Sequence, residues 1–136
     1  MPKGKLRVNV DGGARGNPGP AAIAAVVQKS GGELLEEQSE TIGDATNNVA
    51  EYRALLLGIE RASALGAGAL ELIGDSELIV RQVKGEYKVK DETLRGLHRQ
   101  VLDALAGFDD WTIRHVRRDE NEEADRLVNE ALDRAD

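Results

Sequence analysis

Residues 8–20 constrain the fold of this chain more than any other segment, because an alternating strand leads into a carboxylate and then into a turn rich in Gly and Pro. Leu6, Val8 and Val10 alternate with polar residues, so a period of two places these apolar side chains on one face and Asp11 on the other. The glycines that follow permit unusual backbone conformations and the close approach of another backbone. We therefore expect Asp11 at a strand end, either as a turn former or as part of a site.

The composition predicts one globular domain over residues 1–136, since 40% of the residues are hydrophobic. Aromatic residues make up only 3%, so the core must consist of Ala, Val, Leu and Ile. The absence of cysteine excludes disulfides and thiolate metal sites and fits a reducing compartment. Residues 1–5 lead directly into a strand, and no apolar run approaches membrane-spanning length. We expect a soluble cytoplasmic protein that does not bind membranes.

The hydrophobic periodicity predicts nine elements in one α/β domain. Three strands in hairpin connection come first, and a helix, a strand, two helices, a strand and a helix follow. A strand, a helix and a strand in succession imply a parallel crossover. The predicted strands cover residues 6–11, 21–28, 33–42, 69–73 and 111–116, and the helices cover residues 48–66, 77–83, 93–105 and a segment that opens at Asp119 or Glu120.

Two further acidic residues fall near the expected position of Asp11. Glu51 lies at the edge of the apolar face of the first helix, where it points toward the sheet. Alternatively, its spacing from Asn48 is that of a capping box, in which Glu51 would only bind a free backbone N–H. Asp75 follows a buried strand, and ligands of such sheets bind beyond the carboxyl ends of the strands. Alternatively, Asp75 and Ser76 form an ordinary turn in which Ser76 caps the next helix.

Asp125 completes a set of four carboxylates, because it lies at the rim of the apolar face of the last helix. An exposed Asp in a surface ion pair is the alternative. Two Mg²⁺ ions about 4 Å apart require one bridging carboxylate and others around it, and such a pair catalyses attack on a phosphodiester. The four carboxylates therefore predict a two-metal hydrolytic site.

The distribution of basic residues qualifies the net charge of -7, which by itself argues against a nucleic-acid partner. Basic residues outnumber acidic ones between Arg81 and Arg99, and Arg114, Arg117 and Arg118 form a second basic cluster. Both clusters are candidates for phosphate binding. The alternative is that they are ordinary solvated surfaces.

Four motifs in the order and spacing found here resemble type 1 ribonuclease H over essentially the whole chain. They are DGGARGNPGP at residues 11–20, TNNVAE at residues 46–51, GDS at residues 74–76 and HVRRDENEEAD at residues 115–125. One such motif alone would be weak, whereas the ordered set is highly specific. The resemblance implies a ribonuclease H-like fold, a mixed five-stranded sheet of three antiparallel and then two parallel strands with helices on both faces.

The resemblance also implies an endonuclease that hydrolyses the RNA strand of RNA–DNA hybrids and leaves 5′-phosphate and 3′-hydroxyl ends. It assigns Asp11, Glu51, Asp75 and Asp125 to the acidic set that holds two Mg²⁺ ions, for which Mn²⁺ would substitute. Asp11 would bridge the ions. His115 matches a family histidine that assists proton transfer or product release, although an ordinary packed or surface histidine is the alternative. His98 matches no motif and is expected to be structural.

Substrate contacts follow from the same resemblance. The family binds the minor groove and the RNA 2′-hydroxyls, which distinguish RNA from DNA, through the backbone and amides of two of these motifs. The residues implied for these contacts are Gly12, Gly13, Asn17, Asn47 and Asn48, whereas Thr46 matches a phosphate-pocket residue on the DNA side and Ser76 is a further candidate for substrate binding. The implied partner is an RNA–DNA hybrid, with double-stranded RNA as a further candidate, and nothing in the sequence indicates an obligate oligomer, so a monomer is expected.

The chain departs from the best-known bacterial members of this family in one region. Those enzymes carry a longer protrusion rich in lysine and tryptophan, whereas here only residues 84–90, with Tyr87, occupy its place, and the single tryptophan, Trp111, is expected in the core. Substrate binding should therefore be weaker and strongly salt-sensitive. Three alternatives stay open: a non-catalytic nucleic-acid-binding module, a different two-metal nuclease such as an exonuclease or a transposase core, and an acidic protein-interaction domain.

Overall fold

The computed structural model describes residues 4–135. Its elements follow the predicted order, with one short 3-10 turn in addition. The strands are β1 (Lys5–Ala14), β2 (Gly19–Lys29), β3 (Leu34–Ala45), β4 (Ala69–Gly74) and β5 (Asp110–His115); the helices are α1 (Asn47–Ala64), α2 (Glu77–Val83), α3 (Glu92–Leu105) and α4 (Glu122–Ala135), and the 3-10 turn covers Arg118–Glu120. The first three residues and the last one of the predicted domain lie outside the described residues, and the domain assignment stays a prediction.

The five strands form one mixed sheet in the order β3-β2-β1-β4-β5. Antiparallel pairing joins β1 to β2 and β2 to β3, whereas β4 pairs in parallel with both β1 and β5. This arrangement confirms the predicted fold class. It places the carboxyl ends of β1, β4 and β5 at one edge of the sheet.

Helices cover both faces of the sheet, and β2 shows why its sequence is a continuous run of small apolar residues. Ala21, Ile23, Ala25 and Val27 contribute to the larger core, which β2 shares with α1, β1 and β4. Ala22 and Ala24 face the other way and contact α4 through Val128, Ala131 and Leu132. A strand that is buried on both faces cannot alternate apolar and polar residues.

Several predicted boundaries and faces were wrong. The first strand continues past Asp11 to Ala14, because residues 11–14 still pair with β2. The last helix begins at Glu122 rather than at Asp119 or Glu120, since the 3-10 turn comes first. The helical periodicity of the sequence also predicts Ser63 in the first helix and Leu102 in the third on buried faces, whereas both side chains are exposed in the structure.

Two other predictions about single residues agree with the structure. Trp111 is half-buried and packs against the larger core. His98 lies in a structural contact, where its Nε2 is 3.0 Å from the carbonyl oxygen of Gln82 and its ring meets that of Tyr52 edge to face. No helix in residues 4–135 is long and apolar enough to cross a membrane.

Candidate active site

Asp11 lies where β1 separates from β4, rather than at the end of β1 as predicted. The parallel pairing of β1 with β4 ends at Asn9 and Ile73, whereas the antiparallel pairing with β2 continues through Asp11 and Ala24. Asp11 is 5% exposed. The carboxylate is thus held on a continuous strand and still reaches the edge at which β4 ends.

Glu51 is brought to Asp11 by an unusually close contact between α1 and β1. A Cβ atom at Gly12 would overlap the backbone of Ala50, so only glycine allows this approach. The Gly12 N–H donates a hydrogen bond of 2.6 Å to Oε1 of Glu51. Glu51 therefore binds the strand and not the start of its own helix.

The capping prediction for Asn48 is wrong for the same helix. Thr46 is the N-cap of α1, and its hydroxyl oxygen accepts a hydrogen bond of 3.2 Å from the Val49 N–H. Asn48 is instead a half-buried residue of the first turn that lines the cleft described below.

Asp75 follows β4 and completes a group of three carboxylates. One oxygen from each of Asp11, Glu51 and Asp75 lies within 4.8 Å of the other two. Oδ2 of Asp75 is buried, and within residues 4–135 it is the one buried side-chain oxygen or nitrogen that has no hydrogen-bond partner. The nearest cation is the guanidinium of Arg118, whose Nε lies 3.7 Å from this oxygen.

Asp125, the fourth predicted carboxylate, lies on the wall of the same cleft but outside that group of three. It is half-buried in the first turn of α4, where its N–H donates to the carbonyl oxygen of Asn121 at 3.1 Å. The cleft has a volume of about 440 Å³ and is lined by all four carboxylates, together with Gly12, Gly13, Asn47, Asn48, Ser76 and Arg118.

Burial gives this cluster an unusual protonation behaviour. Desolvation raises the pKa of Asp11 to about 9, and the negative charges of Glu51, Asp75 and Asp125 add to the shift. Desolvation also raises the pKa of Glu51 to about 7, although the hydrogen bond from Gly12 opposes the shift. The site therefore contains more negative charge than its surroundings compensate.

A divalent cation with oxygen ligands fits these observations. Hard cations prefer carboxylate oxygens, and three of them converge here without a lysine or histidine among them. A bound cation would offset the repulsion that raises the two pKa values and would give Oδ2 of Asp75 a partner. The residues present thus suit a metal site.

Two residues predicted to contact substrate, Asn17 and Asn47, also hold the loops around the cleft. The Asn47 N–H donates to Oδ1 of Asn17 at 3.0 Å, and Oδ1 of Asn47 accepts from the Ala14 N–H at 2.9 Å. These bonds join the β1–β2 turn to the start of α1. Asn17, Thr46 and Asn48 line a second groove of about 610 Å³, which shares Asn48 with the carboxylate cleft.

Ser76 has the structural role that the sequence predicted and also lines the carboxylate cleft. Its hydroxyl oxygen caps α2 by accepting a hydrogen bond of 3.4 Å from the Ile79 N–H.

His115 is exposed at the end of β5 and is not among the lining residues of the cleft. It pairs across the sheet with Gly74, the residue that precedes Asp75. The structure therefore places His115 beside the carboxylates rather than among them.

The sequence did not reveal the positions of Arg118, which lines the cleft, and of Asn121, which is hydrogen-bonded to the strand that carries Asp11. A signal for Arg118 existed, because it belongs to the second basic cluster and lies seven positions before Asp125. Asn121 belongs to the last of the four motifs, but its buried position depends on contacts with β1, more than a hundred residues away.

The basic segment that begins at Arg81 forms part of the protein surface at the end of α2 and on the connection that follows it. Arg81 is paired with Glu77 and Glu86, and its guanidinium lies 5.4 Å from the centre of the Tyr87 ring. Lys84, Lys88 and Lys90 are exposed on the short connection from α2 to α3.

Comparison with known proteins agrees with this geometry. A family model described as reverse transcriptase-like matches residues 9–131. The chain is 46% identical to the ribonuclease HI of Halobacterium salinarum over 97% of its own length and 66% of that relative. It spans only 36% of the length of three mycobacterial relatives that are 43% identical to it.

Two solved structures share the fold closely. The RNase H1 of Halobacterium salinarum NRC-1 superimposes with a TM-score of 0.94 at 46% identity, covering 96% of this chain and 99% of that one. LC11-RNase H1, solved in complex with an RNA/DNA hybrid, gives a TM-score of 0.91 at 42% identity and covers 96% and 98% of the two chains.

Proposed function

This chain belongs to the ribonuclease H family, and from that premise we propose that it is a metal-dependent endonuclease that hydrolyses the RNA strand of RNA–DNA hybrids. The products would carry 5′-phosphate and 3′-hydroxyl ends. The solved complex of LC11-RNase H1 with an RNA/DNA hybrid supports the choice of substrate.

The convergence of Asp11, Glu51 and Asp75 is the observation that carries the proposal. A module that only bound nucleic acid would gain nothing from burying three carboxylates that repel phosphate. An acidic protein-interaction domain would expose its charges, whereas Asp11 and Glu51 are 5% and 9% exposed. Burying uncompensated charge is unfavourable, so the arrangement favours a function that needs it.

We assign the metal-binding roles to the four carboxylates. Asp11 would contact both Mg²⁺ ions, Glu51 and Asp75 would contact one of them, and Asp125 would contact the other. When bound, two such cations lower the pKa of the attacking water and offset the negative charge that develops on the leaving 3′ oxygen. The hydrogen bond from the Gly12 N–H keeps the Glu51 carboxylate turned toward Asp11. Mn²⁺ would substitute for Mg²⁺, because both ions prefer oxygen ligands.

Substrate recognition would use the rim that surrounds these carboxylates. Gly13, Asn47, Asn48 and Ser76 line the carboxylate cleft, and Asn17 and Thr46 line the adjoining groove. Because the N–H of Gly12 is already donated to Glu51, any substrate contact at Gly12 falls to its other backbone atoms. Contacts to 2′-hydroxyls along this rim would distinguish the RNA strand from the DNA strand.

His115 would assist proton transfer or product release from its position beside the cleft. Replacing it by Ala is expected to slow turnover without abolishing it, in steady-state cleavage assays of a labelled hybrid. An unchanged turnover rate would make His115 an ordinary surface residue.

Cleavage of one labelled strand tests the proposal most directly. The strand is presented as RNA–DNA hybrid, double-stranded RNA, single-stranded RNA and double-stranded DNA, with Mg²⁺, with Mn²⁺ and with chelator. We expect metal-dependent cutting of the RNA in the hybrid, while the DNA strand stays intact. The same assay decides whether double-stranded RNA is also a substrate. Binding without cutting under any metal would instead identify a recognition module.

We further propose a monomer that acts in the cytoplasm. The cysteine-free sequence suits a reducing compartment. The carboxylate cleft is complete within one chain, so catalysis needs no second copy. Light scattering of the purified protein and fractionation of the source cells test these two points.

A further inference from the structure

Asn121 occupies the junction between the 3-10 turn and α4 and is 2% exposed. Among residues 4–135, only three other polar or charged residues are comparably buried: Asp11, Glu51 and Gln82. A buried amide is stable only where its hydrogen bonds are made, so the partners of Asn121 are informative.

Those partners connect the two sides of the carboxylate cleft. Nδ2 of Asn121 donates a hydrogen bond of 2.9 Å to the carbonyl oxygen of Val10, which immediately precedes Asp11. Oδ1 accepts a bond of 3.0 Å from Nδ2 of Asn9. The backbone carbonyl of Asn121 accepts from the Asp125 N–H at 3.1 Å. One residue is thus hydrogen-bonded next to Asp11 on the sheet and to Asp125 on the helix.

The other contacts of α4 are apolar packing against β2 and ion pairs at the exposed surface, where Arg15 with Asp133 and Arg126 with Glu37 constrain its position along its own axis only weakly. Val128, Ala131 and Leu132 press against Ala22 and Ala24, and such apolar contacts between small side chains are not directional. The hydrogen bonds of Asn121 are directional and lie at the end of the helix that carries Asp125.

We propose that Asn121 is a positioning residue that sets the distance between Asp125 and the group formed by Asp11, Glu51 and Asp75. Asp125 is the one carboxylate of the four that lies outside this group, and no carboxylate-to-sheet hydrogen bond holds it in the described residues 4–135. Asn121 supplies that constraint through the backbone. This inference rests on the proposed nuclease function.

The test compares Asn121→Ala with Val101→Ala by steady-state cleavage of the hybrid. Val101 is fully buried on α3, away from the carboxylates, so its truncation destabilises the fold without touching α4. Both variants are assayed at a temperature at which circular dichroism shows them folded. We expect Asn121→Ala to lower kcat by about 10-fold or more, because small misplacements of catalytic groups have large effects on rate. KM should change less than about 2-fold, and the Mg²⁺ concentration for half-maximal rate should rise.

A kcat for Asn121→Ala within about 2-fold of that for Val101→Ala would overturn the inference, because the residue would then matter only for stability. If the unaltered protein fails to cut the hybrid, the proposed function fails instead, so the two failures are distinguishable. If Asn121→Ala does not fold, Asn9→Ala replaces it, since Asn9 is only half-buried and its removal frees Oδ1 of Asn121. A kcat lower by about 3-fold at unchanged KM then supports the inference, and an unchanged kcat overturns it.

Discussion

At the scale of single residues, Asp11 shows that a buried carboxylate suited to bind a cation lowers the stability of the metal-free fold. Its pKa in the folded state, about 9, lies well above the usual value of 3.8. The folded state therefore binds an extra proton between these two values, and the free energy of unfolding falls as pH rises through this range. In the absence of metal, Asp11 therefore lowers the free energy of unfolding at neutral pH.

Asp11→Asn should therefore abolish cleavage and raise the melting temperature of the metal-free protein. We expect a rise of about 3 °C or more at pH 8 and a smaller one at pH 5, because the cost of keeping Asp11 protonated in the folded state grows as pH rises from its usual pKa of 3.8 toward its folded pKa of about 9. Thermal denaturation in chelator, followed by circular dichroism, measures this difference. Asp103→Asn is the matched control, because Asp103 is exposed on α3. A variant that melts no higher than the unaltered protein at pH 8 would contradict the prediction.

Gly12 and Gly13 offer a second comparison at this scale, because they are neighbours in β1 with different surroundings. A Cβ at Gly12 would overlap the backbone of Ala50, whereas one at Gly13 would meet only a Val128 methyl at 3.7 Å. We expect Gly12→Ala to destabilise the fold by about 2 kcal/mol or more, since α1 must move away from β1. Gly13→Ala should stay within about 0.5 kcal/mol. Urea denaturation measures the free energy of unfolding of both variants. If the two are destabilised to a similar extent, the close approach of α1 to β1 is not the reason for glycine at position 12.

The sequence allowed part of the site to be predicted at the residue scale. The approach of Asp11, Glu51 and Asp75 to one another was expected because periodicity places them near strand ends or at the border of a helix face, although β1 continues beyond Asp11. The partner of Glu51 was missed, since its bond to Gly12 depends on how closely two elements approach. Asn121 was missed for a similar reason, because its partners lie on β1.

At the scale of elements, the boundaries that were predicted well are those with a local signal. Ser76 was predicted to cap α2 and does so, and the start of α3 was predicted one residue late, after Asp91, whose side chain caps that helix. The start of α4 was missed because a 3-10 turn occupies Arg118–Glu120, and acidic residues suit either conformation. The extension of β1 to Ala14 was missed because glycine is rare in strands, and pairing with β2 overrides that preference.

The connection from α2 to α3 is an element whose charge predicts a function. Lys84, Lys88 and Lys90 are exposed there in a chain of net charge -7. Replacing all three by Gln should weaken hybrid binding and reduce the slope of log Kd against log salt, by up to about one for each phosphate group that is no longer neutralised. Fluorescence anisotropy in chelator over a range of NaCl concentrations measures both effects.

A matched control for this segment is Lys29→Gln, which removes a cation at the β2–β3 turn that is paired with Glu33. We expect its affinity and salt slope to equal those of the unaltered protein. If the triple variant also keeps the full salt slope, the lysines of this connection are solvated surface residues, and the phosphate groups bind elsewhere on the protein.

At the scale of the whole molecule, a mixed sheet brings together carboxylates that are far apart in sequence. Asp11 on β1 and Asp75 after β4 occupy the same edge because β1 and β4 are parallel neighbours, and Glu51 joins them because α1 packs closely on β1. The order of the elements was predictable from periodicity. The position of β1 between β2 and β4 was not predicted, since it depends on long-range packing; the family resemblance implied only a mixed sheet of three antiparallel and then two parallel strands.

The same convergence predicts that divalent cations stabilise the whole fold. A ligand that binds only the folded state adds RT ln(1 + [L]/Kd) to the free energy of unfolding, or about 2.7 kcal/mol at a concentration of 100 Kd. Mg²⁺ and Mn²⁺ should therefore raise the melting temperature of the unaltered protein by several degrees, and chelator should reverse the rise.

NaCl at matched ionic strength controls for general screening of the net negative charge. Asp11→Asn should abolish most of the metal-dependent rise, because the variant lacks one of the three converging carboxylates. Equal stabilisation by Mg²⁺ and by matched NaCl would mean that the three carboxylates do not hold a cation in the absence of substrate, and the metal would then have to enter together with the hybrid.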